Sequence, residues 1–241
     1  MISTVLACIL FSGLRSADLF FVVEKAAGAE GMSGAIIEAT SGLQGDSEQS
    51  CSSGLSDELA GAGFSATHVG IIECVGDSVF VFDAYPGIGV SRRPLEVFEG
   101  ERLVFMRLKQ PVDTAAVLTR ARSLLGLEYD LSFMPGNDKY YCSEFVQECF
   151  GGDAGLSGGP GAGAAGTPGE PKAGVAKSQG KPTTEAEGVF ASKPMNFKDK
   201  DGNFPAYWTD LFSRLGIPIP QGVPGTNPQD MLTSGLLERV H

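Results

Sequence analysis

KYYCSEFVQECF, residues 139–150, sets a cysteine behind two tyrosines and ahead of apolar residues at helical spacing. Phe145, Val146, Cys149 and Phe150 share one face of a short helix that starts near Cys142, and Gly151-Gly152 ends it. Cys142 therefore falls at the positive end of that helix, where the dipole and free backbone N–H groups stabilise an anion. A cysteine attacks carbonyl carbon only as the thiolate, and thiol pKa values at such positions drop from about 8.5 to roughly 3.5–7.5. Cys142 is thus a candidate nucleophile. The competing reading is one more small apolar residue in a core.

The remaining cysteines lack this placement. Cys149 lies two helical turns on, within the apolar stripe, Cys74 ends a strand, Cys51 lies in a loop and Cys8 is near the N-terminus. Five cysteines with no CxxC pair, in a chain too large to need a disulfide framework, argue against both a disulfide scaffold and a structural zinc site. With only His68 and the terminal His241, multi-histidine metal chemistry is nearly excluded, and no metal or cofactor is expected.

A thiolate nucleophile needs a base, and His68 is the one non-terminal histidine. Thr67 to Cys74 and Val79 to Ala84 are β-rich runs joined by Val75-Gly76-Asp77-Ser78, a hairpin signal. If Gly76-Asp77 centres the turn, Cys74 opposes Val79, Gly70 opposes Asp83 and His68 opposes Tyr85. His68 and Asp83 are then diagonal neighbours on one face, about 7 Å apart between backbones. A carboxylate there can accept the imidazole N–H, fix the tautomer and support the imidazolium. A one-residue bulge in the turn would send Asp83 to the opposite face, so this assignment is conditional on register. A structural histidine is the alternative for His68.

The composition sets the frame. A chain of 241 residues with 42% hydrophobic content builds a packed globular core. A net charge of -11 and a pI near 4.6 repel phosphate backbones and anionic lipid, which disfavours a nucleic-acid groove or a polybasic membrane anchor. The apolar run from Val5 to Phe11 is too short to span a bilayer and lacks a basic n-region. Val5-Leu6-Ala7-Cys8 loosely resembles a lipoprotein cleavage site, against the favoured reading of an apolar lead-in to the first strand. The compartment is left open between cell envelope or secreted and intracellular, and the oligomeric state is undetermined.

Other elements follow from periodicity and punctuation. Asp18 to Val23 reads as a buried strand, Ser33 to Thr40 as a helical segment with Ile36 and Ile37 inward, and Arg102 to Leu108 as a further strand. Asp113 caps a helix to about Leu125, with Ala116, Leu118, Ala121, Leu124 and Leu125 inward and Gly126 as its stop. Residues 41–63 are expected to form a flexible loop, and residues 151 to about 188, rich in Gly, Ala, Pro, Lys and Glu, a disordered insertion. The GxGxxG from Gly161 to Gly166 is accidental, since no strand precedes it. Pro205 opens a helix through Trp208, Leu211 and Phe212 to Gly216, and Ile217 to Pro228 is expected to run extended along the surface.

Taken in order, these segments resemble the circularly permuted NlpC/P60 cysteine hydrolases, particularly the YiiX/YebB-like group. Leu14 to Phe21 is similar to that family's GDLLFF strand, with Ala17 where Gly is usual, and Thr67-His68-Val69-Gly70-Ile71 looks like its HVGI strand. Phe82-Asp83-Ala84 stands in the place of its EA segment, Leu125 to Asp130 resembles LG-x-x-YD, and Tyr141 to Val146 resembles YCSELV. The histidine strand precedes the cysteine helix, as the permuted branch requires. The tail from Tyr207-Trp208 to Pro228 also looks like that branch.

The resemblance implies an α+β, papain-like NlpC/P60 fold, circularly permuted, with an antiparallel sheet or half-barrel packed against helices in a single catalytic domain over residues 1–241. It implies Cys142 as nucleophile, His68 as general base and then acid, and Asp83 as orienting group. Tyr129 corresponds to a tyrosine lining the family's site, and the Cys142 backbone N–H to an oxyanion donor. The implied reaction is cleavage of an amide bond, in peptidoglycan-type peptides or N-acyl amides, through an acyl-enzyme. Two other readings stay open: a lipid acyl hydrolase or acyltransferase using the same pair, with Phe20-Phe21 and Ile217 to Pro220 lining an acyl groove, and a non-catalytic binding module on this scaffold.

Overall fold

The computed structural model describes residues 13–25, 29–41, 59, 62–151 and 189–240. The leader reading with Cys8, Cys51, nearly all of the expected insertion with its GxGxxG, and His241 lie outside these residues, as does most of the expected loop at 41–63.

β1 (Leu19–Lys25), LFFVVEK, is buried through its first five residues because it lies inside a sheet covered on both faces. β2 (Phe64–Val75), β3 (Ser78–Tyr85), β4 (Gly89–Pro94), β5 (Leu103–Leu108) and β8 (Leu237–Arg239) complete it. Among the described residues this sheet has six strands, ordered β4-β3-β2-β1-β5-β8, with every neighbouring pair antiparallel. Between the strands and beyond them run α1 (Gly31–Ser41), α2 (Thr114–Ser123), α3 (Cys142–Cys149), α4 (Ala206–Leu215) and α5 (Pro228–Leu232). A short pair, β6 (Lys193–Pro194) with β7 (Pro224–Gly225), braces the C-terminal third.

Strand alternation splits the core. Leu19, Phe21 and Val23 join Val69, Ile71 and Phe82 in a cluster closed by Val117 and Ala121 of α2 and Phe145, Val146 and Cys149 of α3. Phe20 and Val22 point the other way, to Ile72, Val81, Leu95 and Phe98. A third, aromatic cluster gathers Phe133, Tyr141, Phe197, Trp208 and Phe212. Each fully buried Phe or Leu here contributes about 1.5–3 kcal/mol of transfer free energy.

The hairpin closes as its sequence predicts. Cys74 pairs with Val79 and Ile71 with Phe82, around a two-residue turn in which Gly76 takes φ 58°, a conformation that costs glycine little. The irregularity lies on the other side of β2, where Val22 pairs with His68 and Val23 with Ala66, so Thr67 is an extra residue. That bulge brings Ala66 and Val69 into one core although they are an odd number apart, and it sits directly beside His68.

Three expectations need correction. The helix capped by Asp113, whose side chain accepts from the Ala116 N–H, ends at Ser123, so Leu125 is exposed and Val117 takes its place inward. The run from 217 to 228 stays on the surface only in its first part, where Ile217, Pro218, Gln221, Gly222 and Pro224 are exposed: Gly225, Thr226 and Pro228 are buried, and Asn227 caps α5 through the Asp230 N–H. Of the two isoleucines in α1, Ile37 is buried and Ile36 half-buried.

Candidate active site

α3 starts at Cys142 because Tyr141 keeps extended backbone (φ -88°, ψ 168°) while its carbonyl accepts the first helical bond, from the Phe145 N–H at 2.9 Å. Tyr141 supplies no side-chain cap. The first-turn N–H groups thus face outward from the helix end that carries the cysteine, a setting for a developing negative charge. Tyr141 is held instead by its ring, which packs on Phe133 with centroids 5.2 Å apart, and by the Thr226 N–H, which donates to its hydroxyl at 3.2 Å.

β2 and β3 bring the partners. His68 Nε2 lies 2.9 Å from Asp83 Oδ2, and Cys142 at the start of α3 is near enough to the imidazole to act on its pKa. Cys142, His68 and Asp83 are 5%, 9% and 0% exposed, so the three groups interact in a medium that screens poorly. The imidazole is walled by Phe98, stacked at 5.7 Å, by Tyr85, edge-on at 5.4 Å, and by Phe20 at 5.8 Å. Gly70 makes room for this packing: a Cβ there would stand 2.4 Å from Phe20 Cε1 and 2.7 Å from the Phe82 carbonyl oxygen.

Burial by itself pulls the imidazole pKa down, and the hydrogen bonds to Asp83 and Cys142, with the charges of both, overcome it and raise the ring to about 9. The other described cysteines differ. Burial drives the Cys149 thiol far up, as befits a core residue, and burial with Asp18 and Glu73 nearby raises Cys74. Tyr129 borders the site: burial and then the neighbouring Cys142 charge raise its phenol well above the usual value, and its hydroxyl meets Met32 Sδ of α1 at 3.6 Å.

Sequence reasoning missed the groups that hold Asp83. Arg93 Nη2 donates to Oδ2 at 2.6 Å and Ser91 Oγ to Oδ1 at 3.3 Å, both from β4, where Ser91 pairs with Asp83. GVSRRP carries no alternating apolar signal, so the strand and its two contributors were invisible. An arginine two residues after a serine, opposite a hairpin strand with a lone aspartate, is the only cue the sequence offers.

Residues 48–159, which contain all three of these side chains, match the family described as permuted papain-like amidase enzyme, YaeF/YiiX, C92 family. The fold agrees with the crystal structure of the metalloprotein YiiX from Escherichia coli O157:H7, at 19% identity and a TM-score of 0.59, covering 95% of this chain and 97% of that one. The chain is a circularly permuted papain-like protein, similar to YiiX. The matched family is one of papain-like amidases, and the chain is accordingly a cysteine hydrolase. No curated protein matches it. Among the described residues no group of three or more His, Cys, Asp or Glu side chains is disposed to hold a metal ion, and no helix is long and apolar enough to cross a membrane.

Proposed function

We propose that the chain hydrolyses amide bonds through a Cys142 acyl-enzyme, as one catalytic domain. The observation that carries this reading is the imidazole of His68 bonded to the buried Asp83 carboxylate, with Cys142 at the start of α3 near enough to act on the ring's pKa. Cys142 Sγ, its proton taken by His68, attacks the carbonyl carbon. The resulting oxyanion is met by the Cys142 backbone N–H, and Tyr129 lines the site. Collapse breaks the C–N bond, and the imidazolium gives its proton to the leaving amine. A water then loses a proton to the neutral imidazole and attacks the thioester, releasing the carboxylic acid and restoring the thiol. Asp83 holds one imidazole tautomer throughout.

The relation to NlpC/P60 hydrolases read from the sequence directs the substrate toward peptides of peptidoglycan type or other N-acyl amides. The acyl-groove alternative loses part of its footing, since Phe20 and Phe21 are fully buried in the core. Turnover of a dipeptide amide series set beside p-nitrophenyl acyl esters separates the two substrate classes. The mechanism itself is tested by iodoacetamide at neutral pH with peptide mapping: the peptide carrying Cys142 should be alkylated first, and Cys142→Ala should abolish both that label and amide turnover. Undiminished turnover in Cys142→Ala would overturn the reading.

A further inference from the structure

Asp83 is fully buried, and two cationic groups converge on one of its oxygens: His68 Nε2 at 2.9 Å and Arg93 Nη2 at 2.6 Å, both on Oδ2. Ser91 holds the other oxygen at 3.3 Å. The guanidinium lies 4.9 Å from the Tyr85 ring and 5.3 Å from Phe98, the same two rings that wall the imidazole. Arginine and histidine thus occupy one aromatic cage around one carboxylate.

In the reaction proposed above, on which this inference rests, His68 alternates between imidazolium and neutral imidazole. A buried carboxylate partnered by that ring alone would be left without a counter-charge each time the ring gave up its proton, a state that costs several kcal/mol or protonates the acid. The guanidinium keeps its charge at every working pH and is held by its bond to Asp83 and by the two rings beside it. We propose that Arg93 is a positioning residue that shares the Asp83 carboxylate with His68, keeping Asp83 ionised through the cycle and limiting how firmly the imidazolium holds the proton it must give to the leaving group. The charged and titratable groups facing His68 are Asp83 and Tyr85 from β3, Arg93 from β4 and Cys142 from α3.

Arg93→Gln removes the shared cation. The whole carboxylate charge then falls on the imidazolium, so His68 should bind its proton about tenfold more tightly. Its kcat should fall with KM little changed, because a more basic imidazole is a poorer acid toward the amine. Arg93→Lys retains the charge without the planar fork and should lie between, with roughly a twofold to threefold rise in proton affinity. His68 is titrated by 15N NMR of the imidazole on the full chain, with circular dichroism to establish folding. A His68 titration unchanged in both folded variants overturns the proposal, and where Arg93→Gln does not fold, an unchanged Arg93→Lys does so alone. The titration needs no turnover, so loss of the amidase reading would leave it intact, and an immobile titration in an active enzyme would remove Arg93 only.

Discussion

Raising the pH should loosen this fold through a single ring. His68 has a folded pKa of about 9 against an ordinary value of 6.5, so its bound proton stabilises the native state. That contribution is fully present below pH 6.5 and is lost as pH rises through 9. The interval corresponds to about 3 kcal/mol, and with the ring 9% exposed solvent screening removes little of it. For a domain whose total stability is about 5–15 kcal/mol this is a large fraction. Urea unfolding of the wild type and of His68→Gln, each followed from about pH 6 to about pH 9.5, separates the ring and the groups coupled to it from the titrating groups elsewhere in the chain. The wild type should lose about 3 kcal/mol more than the variant over that range. Cys142→Ala removes the thiol side of the ring and leaves Asp83, so its loss should be smaller and centred at lower pH. Wild-type and His68→Gln curves that stay parallel within about 1 kcal/mol would refute the claim that carboxylate and thiol hold the ring between them.

Gly70→Ala should destabilise by about 1–3 kcal/mol, because the new methyl meets Phe20 and the Phe82 carbonyl, and should slow turnover by displacing Phe20 from the imidazole, read by urea midpoint and kcat. Gly225→Ala places a Cβ 2.7 Å from the Tyr141 hydroxyl and 2.5 Å from Met195 Sδ, so it should shift the residue that leads into α3 and reduce alkylation of Cys142 more than overall stability. Glu73→Gln removes a buried carboxylate from Arg92 and Arg122, but both arginines are partly exposed, so the cost in thermal or urea unfolding should be about 1–3 kcal/mol rather than the larger loss of a sealed pair.

The elements that announced themselves in the sequence were those whose signal is local. A two-residue turn fixes the register of β2 against β3, which is enough to set His68 beside Asp83, and an apolar stripe behind Cys142 is enough to set that cysteine at a helix start. What stayed hidden depends on partners distant in the chain. β4 is an edge strand whose arginines are drawn in by buried carboxylates, so its letters read as polar surface. β8 is three residues long and exists because β5 offers it a free edge. Leu125 would face inward only with one more helical turn, and the left-handed Gly126 (φ 86°) follows a chain that has already left the helix.

Arg92 and Arg93, consecutive on β4, show how strand geometry distributes charge. Alternation sends them to opposite faces. Arg92 lies over Phe80 at 3.5 Å and pairs with Glu73 at 2.6 Å, on the face where α2 also contributes Arg122, so it ties the helical layer to the sheet. Arg93 turns to the other face and serves Asp83. Two carboxylates that would otherwise be costly inside a protein are thereby made tenable by one dipeptide, one on each face of the sheet. A one-residue slip of β4 would exchange the two faces and strand both acids together. The register Val81 with Arg93, Phe82 with Arg92 and Asp83 with Ser91 is therefore enforced by two buried charges, not by apolar pairing alone, and the position of the carboxylate bonded to His68 inherits that constraint.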